Sequence, residues 1–236
     1  MERLDKVLSN LGYGTRKEIK QVVKKGFVTV NDEKVKDSGL QIDPEKDTIV
    51  INGEKVEYKK YIYLMMNKPA GVISATYDKR DETVIDLLYM EDQVFEPFPV
   101  GRLDKDTVGL LLLTNDGDVY NKIIHPRVNL NKEYIALVKG IFTEEEMNKF
   151  RKGVDIGDYK TAECEIELLE KYTNSCKVKI IIHEGKNRQI RRMCAAFNHE
   201  VVSLKREAIG SLTLKNLKKG EWRYLSSSEE NYIKSL

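Results

Sequence analysis

Three segments of the chain hold side chains of the kind that make and break bonds. In Pro99-Val100-Gly101-Arg102-Leu103-Asp104-Lys105-Asp106-Thr107-Val108-Gly109, a carboxylate sits in a polar loop just ahead of the apolar run Leu110-Leu111-Leu112-Leu113. A loop held by a rigid strand is a common seat for a reactive group, and an ionised carboxylate serves as nucleophile or general base. In Asn131-Lys132-Glu133-Tyr134-Ile135-Ala136-Leu137-Val138, the start of a predicted strand presents a tyrosine. In Glu184-Gly185-Lys186-Asn187-Arg188-Gln189-Ile190-Arg191-Arg192-Met193, four cations form the densest positive cluster of the chain, a pattern that a binding site would also give. On spacing alone each segment also has an ordinary reading. These are an Asp-rich turn, a half-buried sheet tyrosine and a solvated, arginine-rich helix start.

Other chemistries are poorly supplied. His125, His183 and His199 are scattered without metal-ligand spacing, and there is neither a Gly-rich phosphate loop nor a Ser-His-Asp order. Cys164, Cys176 and Cys194 are odd in number and lack paired short spacing, which fits neither a disulfide framework nor a zinc knuckle. The start of the chain lacks the apolar run of a signal peptide, and no later stretch approaches a membrane span. The expectation is a reduced, cytoplasmic protein without a membrane anchor, metal or cofactor, acting as a monomer.

The elements that must position these residues follow from the hydrophobic pattern. The 236 residues, 41% hydrophobic and 33% charged with a formal net charge of only +2, can bury two cores, while overall charge does not announce a nucleic-acid binder. Leu4, Val7, Leu8 and Leu11 recur at helical spacing until Gly12. Thr15-Arg16-Lys17-Glu18 reads as a capping box opening a second helix that turns Ile19, Val22 and Val23 inward. Short strands follow at 27–30 and 48–51, the latter closed by Asn52-Gly53. Residues 1–57 thus form a small module and 57–60 a polar linker, with a larger module over 58–236. There, strands are predicted at 61–66, 108–114, 134–138, 162–169, 177–182 and 201–205, and helices at 118–124, 143–152 and 188–197. Irregular alternation with short turns points to an α+β fold with a mixed, mainly antiparallel sheet.

Two resemblances turn these patterns into expectations. Arg3-Leu4-Asp5-Lys6-Val7-Leu8, Gly14-Thr15-Arg16-Lys17-Glu18 and Gly26-Phe27-Val28-Thr29-Val30-Asn31 together resemble the S-four-type RNA-binding domain, or alpha-L motif. That resemblance implies that the basic face of the second helix and its flanks meets RNA backbone, through Arg3, Lys6, Arg16, Lys17, Lys20 and Lys24. The Gly-Arg-Leu-Asp loop, the following Thr107-x-Gly109-Leu-Leu-Leu-Leu-Thr114 and the upstream Asn67-Lys68-Pro69-x-Gly71 resemble the RsuA/RluB/RluE/RluF family of pseudouridine synthases, over roughly 61–225.

The second resemblance assigns roles. It implies that Asp104 is the catalytic carboxylate, with Asp106 a structural residue of the turn. Tyr134 stacks on the target uracil, and Arg191 pairs with the aspartate, favouring its charged form. Arg102, Lys186, Arg188 and Arg192 are left as RNA contacts. The implied partner is ribosomal RNA, first of all 16S RNA or a small-subunit assembly intermediate, on the likeness of the 63–69, 100–106 and 205–210 segments to RsuA-type members. The 187–194 segment is equally similar to large-subunit, 23S-directed members. An RNA-binding assembly factor without chemistry, and a carboxylate-dependent hydrolase lacking a placed second carboxylate, are the rival classes.

Overall fold

The computed structural model describes Met1–Leu236, apart from the side chain of Pro126. The fold is α+β, and the chain divides into two compact units. One comprises Met1–Ile62 with Leu88–Pro97, and the other Tyr63–Leu87 with Phe98–Leu236.

In the first unit, helices Leu4–Asn10 and Arg16–Lys24 pack on a small antiparallel sheet. The predicted capping box forms: the Thr15 hydroxyl accepts from the Glu18 backbone N–H, and the Thr15 backbone N–H donates to Glu18 at 2.7 Å. The sheet runs Glu33–Lys34, Val28–Val30, Ile49–Ile51, Glu54–Lys55. Alternation sends Val28, Val30, Ile49 and Ile51 toward Leu4, Leu8, Ile19 and Val23, each such burial being worth roughly 1.5 to 3 kcal/mol. Asn52 and Gly53 take positive φ (53° and 85°) in the closing turn, as a two-residue hairpin requires.

The second unit is built on a nine-stranded sheet. Its main path runs Glu165–Lys171, Ser175–Ile182, Lys132–Lys139, Val201–Ile209, Val108–Thr114, Tyr63–Lys68, Trp222–Tyr224. Every pairing is antiparallel except the central one, where Lys205 meets Val108 and Arg206 meets Gly109 in parallel. Gly109 has φ +106°, and a Cβ there would strike the Arg206 backbone, so only glycine lets the two strands approach. Tyr63–Lys68 is buried at all six positions and Leu110–Leu113 at all four, because these central strands are covered on both faces, whereas Ser175–Ile182 and Lys132–Lys139 alternate. On one face Tyr63, Met65, Leu110 and Leu112 pack with Val119 and Ile123 of helix Gly117–Ile124 and Ile233 of helix Ser227–Ser235.

Several predicted boundaries move, for local reasons. The strand expected at 61–66 lies at Tyr63–Lys68, since its ladder ends on Lys68 opposite Gly109 and Pro69 has no N–H to continue it. The strand expected from 162 begins at Glu165; the Thr161 hydroxyl accepts from the Val154 N–H, and the Cys164 N–H donates to Arg151, closing an irregular turn first. The helix expected from 188 starts at Gln189, because Arg188 is left-handed (φ 48°). The terminal strand and helix, Trp222–Tyr224 and Ser227–Ser235, were not expected, although Ser226 and Glu229 form a capping box. Arg223 donates to both oxygens of Glu229 (2.7 and 2.8 Å) and holds its carboxyl down at about 2.

Candidate active site

The Asp104 loop is tied down from several sides before it meets any cation. Ser74 Oγ donates to the Leu103 carbonyl (3.0 Å) and accepts from its N–H (3.1 Å), and the Gly71 N–H donates to the Lys105 carbonyl (2.8 Å). Beneath the loop lies Lys68, fully buried at the end of its strand. Its ammonium donates to the carbonyls of Pro69 (3.0 Å), Asp104 (3.2 Å) and Thr107 (3.0 Å), with Lys105 at 3.5 Å. Burial pushes this ammonium down to about 8, against the opposing pull of Asp106 and Asp104. The lysine thus gathers the backbone that carries the carboxylate, satisfying carbonyls that would otherwise be buried without donors.

Two arginines face the loop from the turn and helix after residue 187. Arg188 Nη1 lies 3.6 Å from Asp104 Oδ2, and its Nη2 lies 3.7 Å from Asp106. Arg191 Nε is 4.0 Å from Asp104 Oδ2, while its Nη2 is closer to Asp106, at 3.1 Å. Arg191 is oriented by donating from Nη1 to the Val201 carbonyl (3.1 Å), which leaves its buried Nε without a hydrogen-bond partner among the described residues. The cations therefore attract Asp104 at distances longer than hydrogen bonds. Asp106, expected only as a turn residue, shares both arginines. Arg188, expected as an RNA contact, is a partner of the same two carboxylates.

Tyr134 is 7% exposed and stands opposite Arg206 in the sheet. Its hydroxyl is 3.5 Å from Arg206 Nη1, and the guanidinium carbon lies 6.0 Å from its ring centroid. Arg206 is itself buried, donates from Nε to the Leu110 carbonyl (2.7 Å) across the parallel join, and keeps a buried Nη2 with no partner among the described residues. Tyr134 is thereby linked through Arg206 to the strand that follows the Asp104 loop. Lys68 and Arg206 were not singled out from the sequence as site residues. The signal available was a lone cation at the end of Tyr63–Lys68 and another inside Val201–Ile209, both otherwise apolar or paired runs.

The remaining predicted contacts fall into two groups. Arg3 and Arg16 are both held by Asp5, at 2.8 and 3.0 Å; Lys6 pairs with Glu2 at 3.3 Å. Arg192 bonds Asp158 and the Ile156 carbonyl, and Lys186 lies over the Tyr159 ring at 4.3 Å. Lys17, Lys20, Lys24 and Arg102 are exposed, with no ion pair among the described residues. The buried thiols offer no competing nucleophile: desolvation pushes Cys164 and Cys194 up to about 12.

A family profile described as RNA pseudouridylate synthase matches residues 62–196, and one described as the S4 domain matches residues 2–49. A Bacillus subtilis protein named as an uncharacterized RNA pseudouridine synthase, YtzG, is 44% identical over 229 residues, 96% of either chain. The ribosomal large subunit pseudouridine synthase B of the same organism is 40% identical over 238 residues, covering 100% of this chain and 97% of the relative. A solved structure described as a pseudouridylate synthase superposes with a TM-score of 0.67 at 30% identity, over 99% of this chain and 100% of the other.

Proposed function

The chain belongs to the RNA pseudouridylate synthase family, in the RsuA/RluB/RluE/RluF group with an N-terminal S4 domain, and from that premise we propose that it isomerises a uridine of ribosomal RNA with Asp104 as the catalytic carboxylate. The observation that carries the reading is the setting of Asp104: its loop is anchored by Lys68, and its carboxylate faces Arg188 and Arg191 at 3.6 and 4.0 Å without being hydrogen-bonded to either. An oxygen placed in a cationic field yet left unbonded is available to attack sugar or base, or to remove a ribose proton. In either route the bond from ribose to uracil N1 breaks, the base turns, a bond from ribose to C5 forms, and the C5 proton is released. Tyr134 holds the detached uracil by stacking, and Arg206 fixes the position of its hydroxyl.

Extruding a base from folded RNA costs a few kcal/mol, which phosphate contacts by Arg102, Lys17, Lys20 and Lys24 offset. Tritium release from ribosomal RNA carrying C5-tritiated uridine tests the reaction directly; no release above background in the presence of the chain overturns it. The 16S target rests on the 63–69, 100–106 and 205–210 segments. A 23S target is the second reading, favoured by the large-subunit relative and the 187–194 segment. Mapping pseudouridine in both RNAs from a strain lacking the gene separates them, because one position loses its modification.

A further inference from the structure

The four-stranded sheet of the first unit has an outer face that the helix reading leaves unused. Phe27, just before the Val28–Val30 strand, is 55% exposed. It borders a hollow of about 310 Å³ lined by Gly26, Phe27, Thr29, Val50, Asn52 and Gly53. A Cβ at Gly26 or Gly53 would meet nothing within 4 Å, so the hollow is open to solvent beside the ring.

The register decides the charge of this face. Thr29 is paired with Lys34 on one side and Val50 on the other, and Val50 with Lys55. Cross-strand partners project from the same face of a sheet, so Lys34, Thr29, Val50 and Lys55 form one row, with a lysine at each end. Four strands at the usual spacing set the two lysines about 14 Å apart. The edge carboxylates Glu33 and Glu54 are paired with Val30 and Ile51, whose side chains enter the core, and they therefore belong to the opposite face. Neither Lys34 nor Lys55 has an ion pair among the described residues.

We propose that this face is a second RNA-binding surface: an unpaired nucleobase stacks on Phe27 while the flanking phosphates lie against Lys34 and Lys55. It rests on the reading that the chain acts on RNA, and extends it to an element opposite the lysines of helix Arg16–Lys24. An aromatic ring bracketed by cations suits a single strand, because stacking requires a base out of its helix and the cations track its backbone. A protein partner covering Phe27 would instead have to desolvate both lysines or supply carboxylates to them.

The test uses the full chain and two fluorescein-labelled probes, a short oligouridine and a self-complementary duplex RNA of matched length, read by anisotropy. Phe27→Ala weakens oligouridine binding about tenfold and duplex binding less than twofold, and Phe27→Trp restores the single-strand affinity. Lys34→Gln with Lys55→Gln flattens the slope of log K against log salt for oligouridine by about 1.4, at roughly 0.7 per phosphate contact. Unchanged oligouridine binding by Phe27→Ala overturns the proposal, as does an equal loss for both probes. Self-association of the wild-type chain that Phe27→Ala abolishes also overturns it, by placing a second copy on the face. Binding of oligouridine needs no turnover, so failure of tritium release removes the enzymatic reading alone.

Discussion

Asp5 and Asp104 each face two arginines, and they are held in opposite ways. Asp5 is buried, and Arg3 and Arg16 both donate to its oxygens at 2.8 to 3.1 Å. The hydrogen bond from Arg3, with Arg16 adding to it, holds its carboxyl down at about 2 despite burial. Asp104 has a side chain 28% exposed, with its arginines at 3.6 and 4.0 Å, and those arginines also serve Asp106. One carboxylate has spent its lone pairs on the protein; the other keeps them. Composition is the same, so the difference lies in what orients the guanidinium groups. Arg191 is aimed by the Val201 carbonyl rather than by Asp104.

The comparison is broken most strongly at Asp104. Asp104→Asn lowers tritium release at least about 10³-fold and leaves the thermal midpoint within a degree or two, because its ion pairs are long and partly solvated. A variant that retains wild-type release removes Asp104 from the chemistry. Next comes the anchor: Lys68→Met lowers kcat about 100-fold, the size of effect that a misplaced reacting group produces, with KM for the RNA little changed. A rise in KM with constant kcat would mean that the anchored loop serves RNA binding rather than the placement of the reacting group.

At Asp5 the pattern reverses. Asp5→Asn costs about 2 kcal/mol of stability in urea, as charged hydrogen bonds of a buried group do, while kcat is unchanged; a loss of kcat without a loss of stability would erase the distinction. The last test is in acid. Asp5 and Glu229 are both lowered to about 2, from ordinary values of 3.8 and 4.5. Their stabilising contributions are therefore full above the ordinary values and disappear as pH falls through about 2. Unfolding measured from pH 5 downward should lose stability over that window, and Asp5→Asn should lose less of it than the wild type.

The parts of this contrast legible in the sequence were those written in short range. The Thr15 and Glu18 capping box and the loop–strand order around Asp104 need only neighbours along the chain. The division of Arg191 between Asp104 and Asp106, the cage of carbonyls around Lys68 and the pairing of Tyr134 with Arg206 depend on which strands lie side by side. Hydrophobic periodicity is silent on strand order, and a cation within a strand reads as an interruption until its partners are known. The left-handed Arg188 was equally hidden, because the residues after it keep helical spacing.

The parallel join at Lys205–Val108 and Arg206–Gly109 also sets an order of events in folding. It connects two antiparallel groups of strands through two register pairs between distant parts of the chain. The strands bearing Tyr134 and Arg206 lie on one side of it, and the strand after the Asp104 loop lies on the other. Contacts of such high sequence separation close late, after the local hairpins have formed. A refolding chain therefore recovers its sheet signal in circular dichroism before it recovers turnover, and activity becomes a readout of the long-range strand pairings, this seam among them.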